Sequence, residues 1–166
     1  MKNEDGIFYE KKFINCGGKL ISLETPLVMG VINVTPDSFY DGGKHTSDKD
    51  ILNAVEEMIK EGVTIIDIGA YSTRPKATEI SIEEEKLRLL PAIKLVKEHF
   101  PDAVISADTF RASVAEESIK EGAMIINDIS GGTMDEKMFE TIAYYNVPYI
   151  LMHIQGTPQN LSLIHI

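Results

Sequence analysis

Asn33-Val34-Thr35-Pro36-Asp37-Ser38-Phe39 follows directly on an apolar run, Leu27-Val28-Met29-Gly30-Val31-Ile32. The chain enters this stretch as a buried strand and leaves it through a turn. Later apolar runs end in the same way. Val63-Thr64-Ile65-Ile66 meets Asp67, Ala103-Val104-Ile105-Ser106-Ala107 meets Asp108, and Ala123-Met124-Ile125-Ile126 meets Asn127. Pro148-Tyr149-Ile150-Leu151 runs into Met152-His153. Between these strands lie helical patterns. Ile51, Leu52, Val55, Met58 and Ile59 share one helix face. Ser81-Ile82-Glu83-Glu84 reads as a capping box, and three acids in its first turn suit the helix dipole. That helix carries Leu87, Leu90, Ile93, Leu95 and Val96, with a kink or break expected at Pro91. A short helix is predicted from about Arg111 to Glu121 and another from Asp135 to about Tyr145.

The alternation of strand and helix, with strands apolar on both faces, predicts a parallel sheet covered by helices. A doubly wound sheet and a (β/α) barrel both satisfy it. No Gly-x-Gly-x-x-Gly follows the first strand, which weakens a dinucleotide site. Recurring polar strand ends favour the barrel, where functional residues gather at the C-terminal ends of strands. An internal echo points the same way. Lys60-Glu61-Gly62 before Ile65-Ile66-Asp67 is answered by Lys120-Glu121-Gly122 before Ile125-Ile126-Asn127.

The 166 residues suffice for one domain with a core. A complete barrel needs about 200 residues or more, so the expected fold is a TIM-type barrel truncated to about five strands. Residues 1–26 read as an N-terminal hairpin segment, with Phe13-Ile14 and Leu20-Ile21 about the Gly17-Gly18 turn. Residues 27–160 read as the partial barrel, and 161–166 as a tail that is either a truncation or foreign sequence. A formal net charge of −10 argues against nucleic acid or anionic lipid as the main partner. The single cysteine, Cys16, allows no intramolecular disulfide and reads as a packing residue. The charged start of the chain has no apolar segment behind it and no run reaches membrane-spanning length, so a cytoplasmic protein is expected.

The four segments Asn33-Val34-Thr35-Pro36-Asp37-Ser38-Phe39, Ser72-Thr73-Arg74-Pro75, Ser106-Ala107-Asp108-Thr109 and Ile126-Asn127-Asp128-Ile129 resemble, in order, the motifs of bacterial dihydropteroate synthase. The likeness runs from about Leu20 to Pro158. It implies that p-aminobenzoate is joined to 6-hydroxymethyl-7,8-dihydropterin diphosphate with loss of diphosphate. It implies Asn33 at a Mg²⁺ ion, for which one hard oxygen plus phosphate is chemically sufficient. It places Phe39 near the p-aminobenzoate ring, Thr73 at the pterin diphosphate, and Arg74 and Pro75 in the closed site. Asp108 and Asn127 would read the polar edge of the pterin, Met152 would pack on its face, and Asp67 would support the site. Asp108 and Arg74 would be the catalytic pair. The resemblance further implies a homodimer for the full-length form.

Each assignment has a plainer competitor. Asn33 serves equally as a strand cap, Phe39 as a buried turn residue and Arg74 as a solvated loop cation. Asp108 or Thr109 could N-cap the following helix, Asp67 could be a local cap, and Met152 and His153 could be packing residues. Tyr71 and Lys76 depart from the family's usual acid and glycine, which bears on p-aminobenzoate geometry and sulfonamide sensitivity. The family's later Asp, Lys and Arg-x-His segments are missing here, so the chain alone is expected to be inactive, with two open sheet edges. The rival readings are a pterin-binding methyltransferase-type domain and a non-catalytic barrel fragment.

Overall fold

The computed structural model describes residues 12–34, 48–71 and 79–153. A short antiparallel hairpin leads, β1 (Phe13–Cys16) and β2 (Lys19–Ser22). Five parallel strands follow: β3 (Met29–Asn33), β4 (Ile65–Gly69), β5 (Val104–Asp108), β6 (Ile125–Asp128) and β7 (Tyr149–Leu151). The helices between them are α1 (Asp48–Lys60), α2 (Ile82–His99), α3 (Ala112–Glu121) and α4 (Met138–Tyr145).

The strand order is β3-β4-β5-β6-β7, each strand pairing with its sequence neighbour. A doubly wound sheet would reverse direction partway across. This one does not, so right-handed crossovers put every helix on the same face. Ile32, Ile66, Ile68, Ile105, Ala107 and Ile126 pack outward against Ile51, Val55, Leu89, Ile93 and Val96 of the helices. Burying one such Ile side chain contributes roughly 1.5–3 kcal/mol. The other face is the concave interior of a partial barrel.

Interior residues lie in three register rows. The lowest is Met29, Ile65 and Val104; above it come Val31, Asp67, Ser106 and Ile125. The uppermost is Asn33, Gly69, Asp108, Asn127 and Ile150. The hairpin closes the lower end, where Cys16 and Ile21 pack with Ile65, Val104 and Ile125. Burial raises the Cys16 thiol above its ordinary pKa, as a packing role for that residue requires.

The echo in the sequence is structural. Gly62 and Gly122 both take left-handed φ, 92° and 117°. The amides that follow bond back in parallel fashion, Val63 N to Met58 O and Ala123 N to Ser118 O.

Several expectations need correction. Helix α2 runs unbroken through Pro91. Proline removes the bond to the Leu87 carbonyl, but Leu87 is 70% exposed and Pro91 is exposed too, so water can take the vacated position. The buried face of α2 is Glu85, Leu89, Ala92, Ile93 and Val96, not a face that includes Leu87. The capping box is half formed: Ser81 Oγ accepts from Glu84 N at 3.1 Å, while Glu84 Oε1 accepts from Arg88 Nε at 2.6 Å. Helix α4 starts at Met138 rather than Asp135. The Asp135 carboxylate instead accepts from Lys137 N at 3.0 Å and, across to the head of α3, from Ala112 N at 2.7 Å.

Candidate functional site

The uppermost row gathers three of the residues singled out from the sequence. Asn33 ends β3, Asp108 ends β5, and Asn127 is the next-to-last residue of β6. Cα pairing puts Asn33 level with Gly69, Gly69 with Asp108, and Asp108 with Asn127. Even spacing in parallel strands makes these side chains share the interior face.

Gly69 leaves room for Asp108. A β-carbon built on Gly69 would lie 3.1 Å from Asp108 Oδ2 and 3.2 Å from Asp108 Cβ. The carboxyl therefore leans over bare backbone. Asp67, one row lower, is buried, and its Oδ2 accepts from Asn127 Nδ2 at 3.0 Å. That bond spans β5 and joins the two polar residues of the echo, sixty positions apart. With one amide hydrogen committed to Asp67, Asn127 keeps a carbonyl oxygen and a second N–H for a ligand.

Electrostatics favour the neutral form of Asp108. Burial is the first cause and the charges of Asp67, Glu85 and Asp128 add to it, raising its pKa to about 7. Burial also raises Asp67, opposed by Ser106 directly across the ladder and by the Asn127 amide. The Ser106 hydroxyl and Asp67 Oδ1 complete no hydrogen bond of ordinary geometry. The interior thus holds buried polar atoms with spare bonding capacity, as a recognition surface does.

Capping does not explain Asp108 or Asp67. The N-cap of α3 is Arg111, without a side-chain bond, and Asp135 serves its first amide. Asp67 sits within β4. Met152 and His153 are exposed, so neither packs in the core. Met152 N donates to Asp128 O at 3.2 Å, just beyond β7. Phe39, Thr73, Arg74, Pro75 and Lys76 lie outside the described residues.

The sequence reading missed a second layer of residues. Asp128, buried at the end of β6, accepts from Ser130 N at 2.7 Å, Gly132 N at 2.9 Å and Tyr149 Oη at 2.5 Å. It shapes the turn through Gly131 and Gly132, whose φ values are 58° and 80°. Glu85, whose place in the first turn of α2 predicts a dipole partner, is wholly buried, 2.6 Å from Arg111 Nη1. Its signal was present: Glu85 stands four residues before Leu89 on the buried stripe of α2. Tyr71 is also buried, edge-on to Phe110 at 5.1 Å.

No group of three or more His, Cys, Asp or Glu suited to a metal occurs among the described residues. Asn33 offers one hard oxygen at a half-buried strand end, which fits Mg²⁺ held mainly by water and phosphate. No helix among the described residues is long and apolar enough to cross a membrane.

Sequential parallel strands, helices on one face and polar residues at the C-terminal strand ends define a partial (β/α) barrel, whose functional residues in this fold class gather at that rim. The pterin binding enzyme family matches residues 29–164, and the chain belongs to that family. It is 53% identical over 131 residues to the dihydropteroate synthase of Bacillus subtilis (strain 168), covering 78% of this chain and 45% of that protein. Among solved structures, Yersinia pestis dihydropteroate synthase in a sulfonamide drug complex is 41% identical with a TM-score of 0.80, over 89% of this chain and 53% of that one. The Xanthomonas albilineans enzyme with 4-aminobenzoic acid is 37% identical with a TM-score of 0.78, over 87% and 52%. The chain therefore spans about half the length of these relatives.

Proposed function

We propose that this chain is the pterin-recognising part of a dihydropteroate synthase. The observation that carries the reading is the single register row of Asn33, Gly69, Asp108 and Asn127, braced by the bond from Asn127 to Asp67. Asp108 accepts from pterin ring N–H and amino groups once ionised. Asn127 accepts and donates beside it. Rings lacking those groups would leave buried polar atoms unpaired and are rejected. Asp108 also favours positive charge developing on the pterin.

In the reaction the p-aminobenzoate nitrogen bonds to the pterin methylene carbon, the carbon–oxygen bond to diphosphate breaks, and the amine loses a proton. Diphosphate leaves with the electron pair. Asn33 would hold Mg²⁺, which when bound supplies positive charge to the diphosphate. Thr73 would meet the diphosphate, and Arg74, Pro75 and Phe39 would enclose p-aminobenzoate and exclude water. Met152 would lie against the pterin face. The wider reading is of a cytoplasmic, homodimeric sulfonamide target with no nucleic acid or membrane partner, whose sensitivity to the drug turns on Tyr71 and Lys76.

Calorimetric titration of the chain tests the reading. Pterin diphosphate should bind with Mg²⁺ and lose at least tenfold in affinity with EDTA or in Asp108→Ala. Binding indifferent to Mg²⁺ would favour a methyltransferase-type relative. Failure to bind any pterin would leave a non-catalytic barrel piece.

A further inference from the structure

Two segments beside the site are tied together by one buried ion pair. Glu85 Oε2 accepts from Arg111 Nη1 at 2.6 Å, and Glu85 Oε1 accepts from Thr109 Oγ1 at 2.6 Å. Arg111 Nη2 donates to Ile80 O at 2.7 Å. The same guanidinium lies 5.3 Å from the Tyr71 ring and 5.1 Å from the Phe110 ring. Tyr71 comes just after β4, and Ile80 just before α2. One side chain therefore holds both flanks of the β4–α2 connection.

The pair also reaches Asp108. Thr109 is the next residue in the chain, it is buried, and its hydroxyl accepts from Arg111 N at 3.2 Å while donating to Glu85. The backbone leaving β5 at Asp108 is thus suspended from α2. A guanidinium suits this task because its planar fork can serve a carboxylate, a carbonyl and two ring faces together.

We propose that Glu85 and Arg111 are positioning residues for Asp108, fixing where its carboxyl meets a ligand by anchoring Thr109, Ile80 and Tyr71 to one buried pair. The inference rests on the pterin reading for its ligand, but the geometry does not. Among the described residues the charges of Asp67, Glu85 and Asp128 act on Asp108, so removing one of them should be felt there.

The test uses Glu85→Gln, which keeps shape but removes charge, and Arg111→Lys, which keeps charge but loses the fork. Carboxyl-carbon NMR of the 166-residue chain follows Asp108 titration without ligand. Affinity for 6-hydroxymethylpterin at pH 8 is measured in parallel. In Glu85→Gln the Asp108 midpoint should drop below about 7. In Arg111→Lys it should hold, while pterin affinity falls at least tenfold. Lys120→Ala, on the exposed Lys120–Glu116 pair, should change neither readout. Should Glu85→Gln fail to fold, Thr109→Val removes both bonds of that hydroxyl at little change in volume, and pterin affinity should then fall at least tenfold. Folded variants with unchanged midpoint and unchanged affinity would overturn the proposal. If the unaltered chain binds no pterin, the functional reading falls, and the NMR midpoints alone decide whether the pair governs Asp108.

Discussion

Asn127 Nδ2 donates to Asp67 Oδ2 at 3.0 Å, across β5 and beneath the level of Asp108. The bond links two strands that are not neighbours in the sheet, which the curvature of the interior face makes possible. It also decides which atoms of Asn127 remain for a ligand.

Replacing Asp67 by Ala should leave that amide hydrogen without its partner in a part-buried setting. An unsatisfied buried donor costs about 1–3 kcal/mol. Urea unfolding should show a loss of that size, with pterin affinity falling as the Asn127 amide becomes free to rotate. An unchanged midpoint in urea would mean that water replaces the carboxylate without penalty.

Gly69→Ala brings a β-carbon to 3.2 Å from Asp108 Cβ and 3.1 Å from its Oδ2. The first contact is to an atom fixed by β5, so the carboxyl must tilt away from its position. We expect far-ultraviolet circular dichroism to be preserved and pterin affinity to fall at least tenfold. Affinity within twofold of the parent would show that the close approach is not needed.

The raised Asp108 sets a pH dependence of known sign. Between the ordinary 3.8 and about 7 the folded chain holds a proton that the unfolded chain has lost. Stability therefore falls as pH rises through this window, and levels off outside it. The urea midpoint should decline from pH 5 to pH 7.5, and Asp108→Asn should flatten most of that slope. Pterin binding should move oppositely, because only the ionised carboxyl accepts two N–H groups. About tenfold tighter binding is expected at pH 8 than at pH 6, following the ionised fraction.

Asp128 anchors three donors while wholly buried. Asp128→Ala should destabilise the chain by roughly 3 kcal/mol or more. Tyr149→Phe, which removes one of those donors, should cost about 1 kcal/mol. A ranking of the two in the opposite order, measured by urea unfolding, would place the weight of this turn elsewhere.

The barrel was legible because its signal is periodic and local. Asp108 and Asn127 each follow an apolar run, Asp67 interrupts one within β4 rather than ending it, and the twin glycine caps at 62 and 122 repeat the unit. Asn33 was placed by the same logic. Glu85, Arg111, Thr109 and Asp135 escaped because their partners lie 24, 26, 24 and 23 positions away. Charged residues near helix starts read as dipole or solvent groups until tertiary structure supplies a partner. Glu85 alone carried a local warning, an acid on an apolar stripe. Leu87 carried the opposite one, an apolar residue off that stripe, and it faces solvent.

The hairpin beneath the interior has a practical corollary. Cys16 and Ile21 lock it against Ile65, Val104 and Ile125, at the pole of the sheet remote from Asp108. A fluorescent label carried on the exposed face of the hairpin, at Leu20, would sit at that pole. Immobilised there on a sensor chip, the chain would keep the row of Asn33, Asp108 and Asn127 turned toward the flowing analyte.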